Sequence, residues 1–139
     1  MPSLLVHLLA ATGCCFTLAA SASADGFRTP SDNIHCMADV WEGTAELRCD
    51  IRNNGAAVPA PPSDCDLDWG NAFALSGERQ SAYRVCAGDT VMNPDYPVLG
   101  YGSTWHKHGF SCSVATDGVT CKNRFGNGFF LSKKMQTLR

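Results

Sequence analysis

Three clusters in this sequence carry residue types that could do chemistry. Asp64-Cys65-Asp66-Leu67-Asp68 sets carboxylates at alternate positions, as a calcium loop opens. An EF-hand would need Gly at its sixth position and Glu at its twelfth, where this chain has Trp69 and Leu75, so that motif fails. Two readings of Asp64, Asp66 and Asp68 remain: a looser divalent-cation turn, or a solvated acidic turn anchored by Cys65. His106-Lys107-His108 is a second candidate, because alternate residues of a strand point to the same side. A metal there needs a third ligand, from His35 or an aspartate; the alternative is a pair of rim histidines, with Gly109 breaking the pleat. His35 opposite Asp50 is the third, either a base with its orienting carboxylate or an ordinary cross-strand pair. No nucleophile accompanies it.

Motifs for serine, metal-dependent or nucleotide-dependent catalysis are absent from the sequence: there is no Gly-x-Ser-x-Gly, Ser-x-x-Lys, His-Glu-x-x-His, P-loop or dinucleotide fingerprint. No cofactor is expected beyond a divalent metal at one of the clusters above. Binding is better represented. Trp41, Trp69, Tyr101 and Trp105 are candidate recognition aromatics, with core packing as the plain alternative. Charge is also uneven. Residues 25–104 carry five basic and twelve acidic side chains, net −7, whereas residues 105–139 carry six and one, net +5. The basic segment, with Lys133 and Lys134, could meet an anionic envelope polymer or lipid headgroup, or could simply complement the acidic part within the fold. A whole-chain charge of −2 argues against binding nucleic acid through bulk charge.

These residues need a scaffold, and the cysteines describe one. Residues 1–24 hold no charged side chain and end in Ala22-Ser23-Ala24 before Asp25, the pattern of a cleaved signal peptide. The n-region lacks Lys and Arg, and Ala11-Thr12-Gly13-Cys14 offers a lipoprotein alternative. The domain would then be residues 25–139, secreted or periplasmic, with no transmembrane span after signal removal. Its six cysteines imply three disulfides. Placing Cys36 opposite Cys49 in a hairpin of 34–41 and 44–52 pairs Ile34 with Ile51, Ala38 with Leu47 and Val40 with Ala45, all apolar on one face. The cost is Asp39 against Glu46, which a diagonal Arg48 could relieve. Cys112 opposite Cys121 likewise sets Val114 against Val119 around a four-residue loop, Ala115 to Gly118. Cys65 and Cys86 are left to pair. Further strands are expected at 72–75, 82–87, 101–105 and 129–132, with a helical turn at 133–138. The fold class is all-β, a small disulfide-stabilised sandwich or partly closed barrel of short antiparallel strands.

The landmarks Phe27-Arg28-Thr29-Pro30-Ser31, Asn33-Ile34-x-Cys36, Arg48-Cys49-Asp50-Ile51, Cys65-Asp66-Leu67-Asp68-Trp69-Gly70 and Cys86-x-Gly88-Asp89-Thr90-Val91 stand in order along the chain. Gly109-Phe110-x-Cys112, Gly118-Val119-Thr120-Cys121 and Gly126-x-Gly128-Phe129 follow. Together they resemble a family of small exported six-cysteine bacterial proteins known only as a domain of unknown function. The resemblance implies export, one domain and a bacterial source, and it brings no activity or site residue with it. The leading expectation is a non-catalytic binding or structural domain whose partner is an envelope or extracellular protein or an anionic polymer. An inhibitor of a secreted hydrolase, using Pro94 to Gly102 as its loop, is the second expectation. A metal-dependent hydrolase built on His106, His108 and an aspartate is the third.

Overall fold

The structure is a computed structural model that describes residues 24–139; the expected leader, with Cys14, lies outside the described residues. Ten strands form two five-stranded antiparallel sheets that do not close into a barrel. The first sheet takes β1 (Gly26–Arg28), β2 (Ile34–Trp41), β3 (Thr44–Ile51), β4 (Asp68–Ser76) and β5 (Tyr83–Ala87) in that spatial order. The second takes β6 (Thr104–Lys107), β7 (Phe110–Ala115), β8 (Gly118–Lys122), β9 (Gly128–Leu131) and β10 (Gln136–Leu138), again in chain order. Each sheet is therefore a meander of nearest neighbours. No helix occurs among the described residues.

The β2–β3 register is the one the apolar alternation specifies, from Ile34 opposite Ile51 to Trp41 opposite Thr44. Its two-residue turn has both Glu42 and Gly43 at positive φ, 48° and 81°, the backbone whose twist matches the flanking strands. Arg48 does not relieve Asp39 and Glu46. It bonds Asp50 and Asp89, while Tyr83 donates its hydroxyl to Glu46 at 2.9 Å. On β7–β8 the expected partners stand opposite each other, but Ala115 also pairs with Gly118, so the turn is Thr116-Asp117 and not four residues. Residues 136–138 extend β9's sheet as a strand in place of the expected helical turn, because Ser132 caps the reversal at 132–135 and sends the chain back alongside β9. Tyr101 precedes the sixth strand in a turn with Gly102 at φ 84°, and that strand begins at Thr104.

Inward side chains of both sheets make one core of Phe27, Ile34, Leu47, Ile51, Phe73, Leu75, Phe110, Val114, Val119, Phe129 and Leu131. Disulfides join Cys36–Cys49, Cys65–Cys86 and Cys112–Cys121. The first and third lie fully buried at the centre, and the Sγ atoms of Cys36, Cys49 and Cys121 are all within 4.8 Å of one another. Sulfur thus packs on sulfur across the interlayer. The second ties the excursion between β3 and β4 to the sheet edge. There Val58 lies against Gly70, whose φ of 106° marks an irregular step in β4 and whose missing side chain leaves the room that Val58 fills.

Candidate functional site

At one end of the sandwich, loops from both sheets surround an open cleft of about 560 Å³. That size lies within the range of small-molecule sites. Tyr101 lines it from the segment before β6, with its side chain half exposed. Lys133 and Lys134 line it from the β9–β10 reversal, and Asp117 from the β7–β8 turn. The lysines are held by backbone geometry. Ser132 Oγ accepts the amides of Lys134 and Met135 at 3.2 and 3.0 Å, and the Lys133 carbonyl accepts the Gly55 amide at 2.8 Å. Asn33 and Asn53 clamp the opposite wall, the Asn53 amide reaching Asn33 Oδ1 at 2.8 Å. Neither lysine takes part in an ion pair among the described residues. Both lysines are exposed, and they share the cleft with the Asp117 carboxylate.

Of the aromatic candidates, Tyr101 belongs to this cleft. Trp41 stands at the opposite end of β2 and is 76% exposed. Trp69 is half-buried against the Pro59 carbonyl, to which its indole donates at 3.0 Å. Trp105 is buried in the core, away from the cleft, 5.2 Å from the Phe27 ring, and its indole N–H donates to the Ala24 carbonyl. The strand pleat turns position 105 inward, on the face that Cys112 shares.

The metal candidates do not converge. His106 lies on β6, but His108 occupies the β6–β7 turn with φ 49°, so the two imidazoles do not share a strand face. Asp64, Asp66 and Asp68 do not gather three ligand atoms, and the only such group among the described residues is the sulfur set of Cys36, Cys49 and Cys121, all in disulfides.

His35 is opposite Asp50 in register, yet its ring turns to Asp32. Nδ1 lies 3.1 Å from the Asn93 amide and 3.2 Å from the Asn93 carbonyl, and Nε2 lies 2.9 Å from Asp32 Oδ1. The side chain is fully buried with both nitrogens occupied. It ties Asn93 to β2, and both of its ring nitrogens are engaged. Partial burial pushes the Asp32 carboxyl up, but His35, Arg52 and Arg28 outweigh it and hold it below the usual range. Asp50 is engaged by Arg48, Thr90 and the Val91 amide. Sequence spacing missed this network because its partners come from segments about 40 to 60 residues apart.

The fold and cleft define a class: a disulfide-stapled β-sandwich with an open cleft at one end. Residues 3–139 match the model of a Family of unknown function (DUF6636), and the chain belongs to that family. No curated protein and no solved structure matches it. The three disulfides suggest folding in an oxidising compartment, such as a periplasm or the extracellular space. Among the described residues, no helix is long and apolar enough to cross a membrane.

Proposed function

We propose that the protein is a non-catalytic binding domain of the bacterial envelope or extracellular space, and that it holds an anionic partner in the end cleft. The observation that carries the reading is the meeting of Tyr101, Lys133 and Lys134 around one cavity. Tyr101 offers a flat ring, the lysines offer charge, and the disulfide-tied strands hold the loops in place before the ligand arrives, which lowers the ordering cost of binding. The histidine arrangements give a metal-dependent hydrolase no support.

The test is chemical-shift mapping on the disulfide-intact protein titrated with soluble acidic envelope glycans. Shifts are expected at 101, 116–118 and 132–134, and Lys133→Ala with Lys134→Ala should weaken binding at least fivefold. Shifts confined elsewhere, or an unchanged affinity in the double variant, would sink the reading.

A second reading, an inhibitor of a secreted hydrolase, has its own support. The Pro94–Gly102 loop is strapped to β1, with the Arg28 amide on the Pro97 carbonyl and the Leu99 amide on the Arg28 carbonyl, while Val98 stays 48% exposed between them. Such a loop is presented rigidly. Recovery of a hydrolase from culture fluid, released by Val98→Asp, would favour it over the first.

A further inference from the structure

The change of charge along the chain falls almost where one sheet ends and the other begins. Net −7 belongs to residues 25–104, which hold β1 to β5, and net +5 to residues 105–139, which hold nearly all of β6 to β10. The half of the chain that carries the first sheet is acidic and the half that carries the second is basic. Among the described ion pairs only Lys107 with Asp25 joins the two halves, and Lys122, Arg124, Lys133, Lys134 and Arg139 are all exposed.

Registers across that sheet align its outward residues into rows. Thr104 faces Ser113, Ser113 faces Thr120, Thr120 faces Phe130 and Phe130 faces Thr137, one residue from each strand. A second row runs His106, Ser111 and Lys122 to Gly128, and Gly128 exchanges backbone hydrogen bonds with Arg139 at 2.8 and 3.1 Å. Where the rows meet β8 to β10, a depression of about 310 Å³ has Thr120, Lys122, Phe130, Thr137 and Arg139 around it. Lys122 and Arg139 are exposed and join no ion pair among the described residues, and Phe130 is half-buried with its ring against Gly118.

We propose that the outer face of the β6–β10 sheet is a docking platform for an acidic polysaccharide, a chain of sugars bearing carboxylates. This rests on the reading of the protein as a binder of an anionic partner and adds a surface and a ligand class to it. Adjacent strands repeat at about 4.8 Å, close to the length of one sugar residue, so successive sugars meet successive strands. The hydroxyl row supplies donors and acceptors to sugar hydroxyls, Phe130 offers its ring, and Lys122 and Arg139 meet the carboxylates. A lipid surface fits the face less well. Of the exposed large apolar side chains among the described residues only Met135, in the reversal before β10, borders this sheet; the others, Trp41, Leu67 and Val98 among them, belong to the other half of the chain.

The experiment measures binding of polygalacturonate to the purified, disulfide-intact protein at low and high salt. Neutral dextran, duplex DNA and phosphatidylglycerol vesicles serve as comparisons. Salt-sensitive binding to polygalacturonate and none to dextran are expected, with at least tenfold loss in Lys122→Glu with Arg139→Glu, both exposed and tolerant of exchange. Tighter binding to DNA or vesicles than to polygalacturonate overturns the ligand class. Full affinity in the Lys122/Arg139 variant, with loss in Lys133→Ala/Lys134→Ala, overturns the platform and leaves the cleft reading standing. Failure of the unaltered protein to bind any of the polyanions, or the acidic glycans at the cleft, overturns both.

Discussion

Single side chains in this protein are recruited to hold loops before they are free to do chemistry. His35 shows it most clearly, a buried imidazole with an amide on one nitrogen and a carboxylate on the other. Its cross-strand position was readable from the alternation of β2 and β3, whereas its partner was not, because Asp32 reaches it through a turn residue with φ 58°. Such left-handed geometry at a non-glycine residue leaves only a weak trace in a sequence. Tyr83 is another case. Burial, then its hydrogen bond to Glu46, pushes its phenol up to about 12. A folded value above the unfolded one means that this contribution is fully present below about pH 10 and is lost as pH rises through about 12. Denaturation midpoints should therefore fall between those two values, and Tyr83→Phe should flatten that part of the profile. An identical alkaline loss in the variant would show that the hydroxyl has no such role.

At the scale of elements, alternation specified what it physically controls. A one-residue slip in β2–β3 would expose Ile34, Ala38 and Leu47, so that register was legible from residue types alone. Side-chain patterning does not specify turn length as tightly, and the β7–β8 reversal is shorter than the spacing of Cys112 and Cys121 led us to expect. Short strands with mixed faces, such as β10, take their conformation from the neighbour they pair with and not from their own composition. The cleft was partly legible. Tyr101, Lys133 and Lys134 stand out as residue types, but only the folded meander brings the 101 turn and the 132–135 reversal to the same end of the molecule. Gly128 shows how narrow the tolerance is where strands meet. A Cβ there would collide with the Cys121 carbonyl, a backbone atom that cannot step aside. Gly128→Ala should cost about 2–4 kcal/mol by chemical denaturation, as overpacked or strained backbone sites do. A midpoint unchanged from the parent would contradict the packing described for β8 and β9.

For the whole molecule, the leading fact is that covalent and spatial organisation coincide. All three disulfides join cysteines within one half of the chain, Cys36–Cys49 and Cys65–Cys86 in the first sheet's half and Cys112–Cys121 in the second. The passage from one sheet to the other is made once, by residues 88–103. Hydrogen bonds such as Ala82 to Arg139 and Asn123 to Ser76 and Glu78, with the shared apolar core, hold the layers together. A single proteolytic cut in that passage would therefore turn one chain into a heterodimer. Its two subunits should migrate together in native size-exclusion chromatography and separate in denaturing electrophoresis without any reductant; fragments that stay linked there would refute the disulfide arrangement. Expressed apart, one acidic and one basic, the two pieces would be natural complements for reassembly.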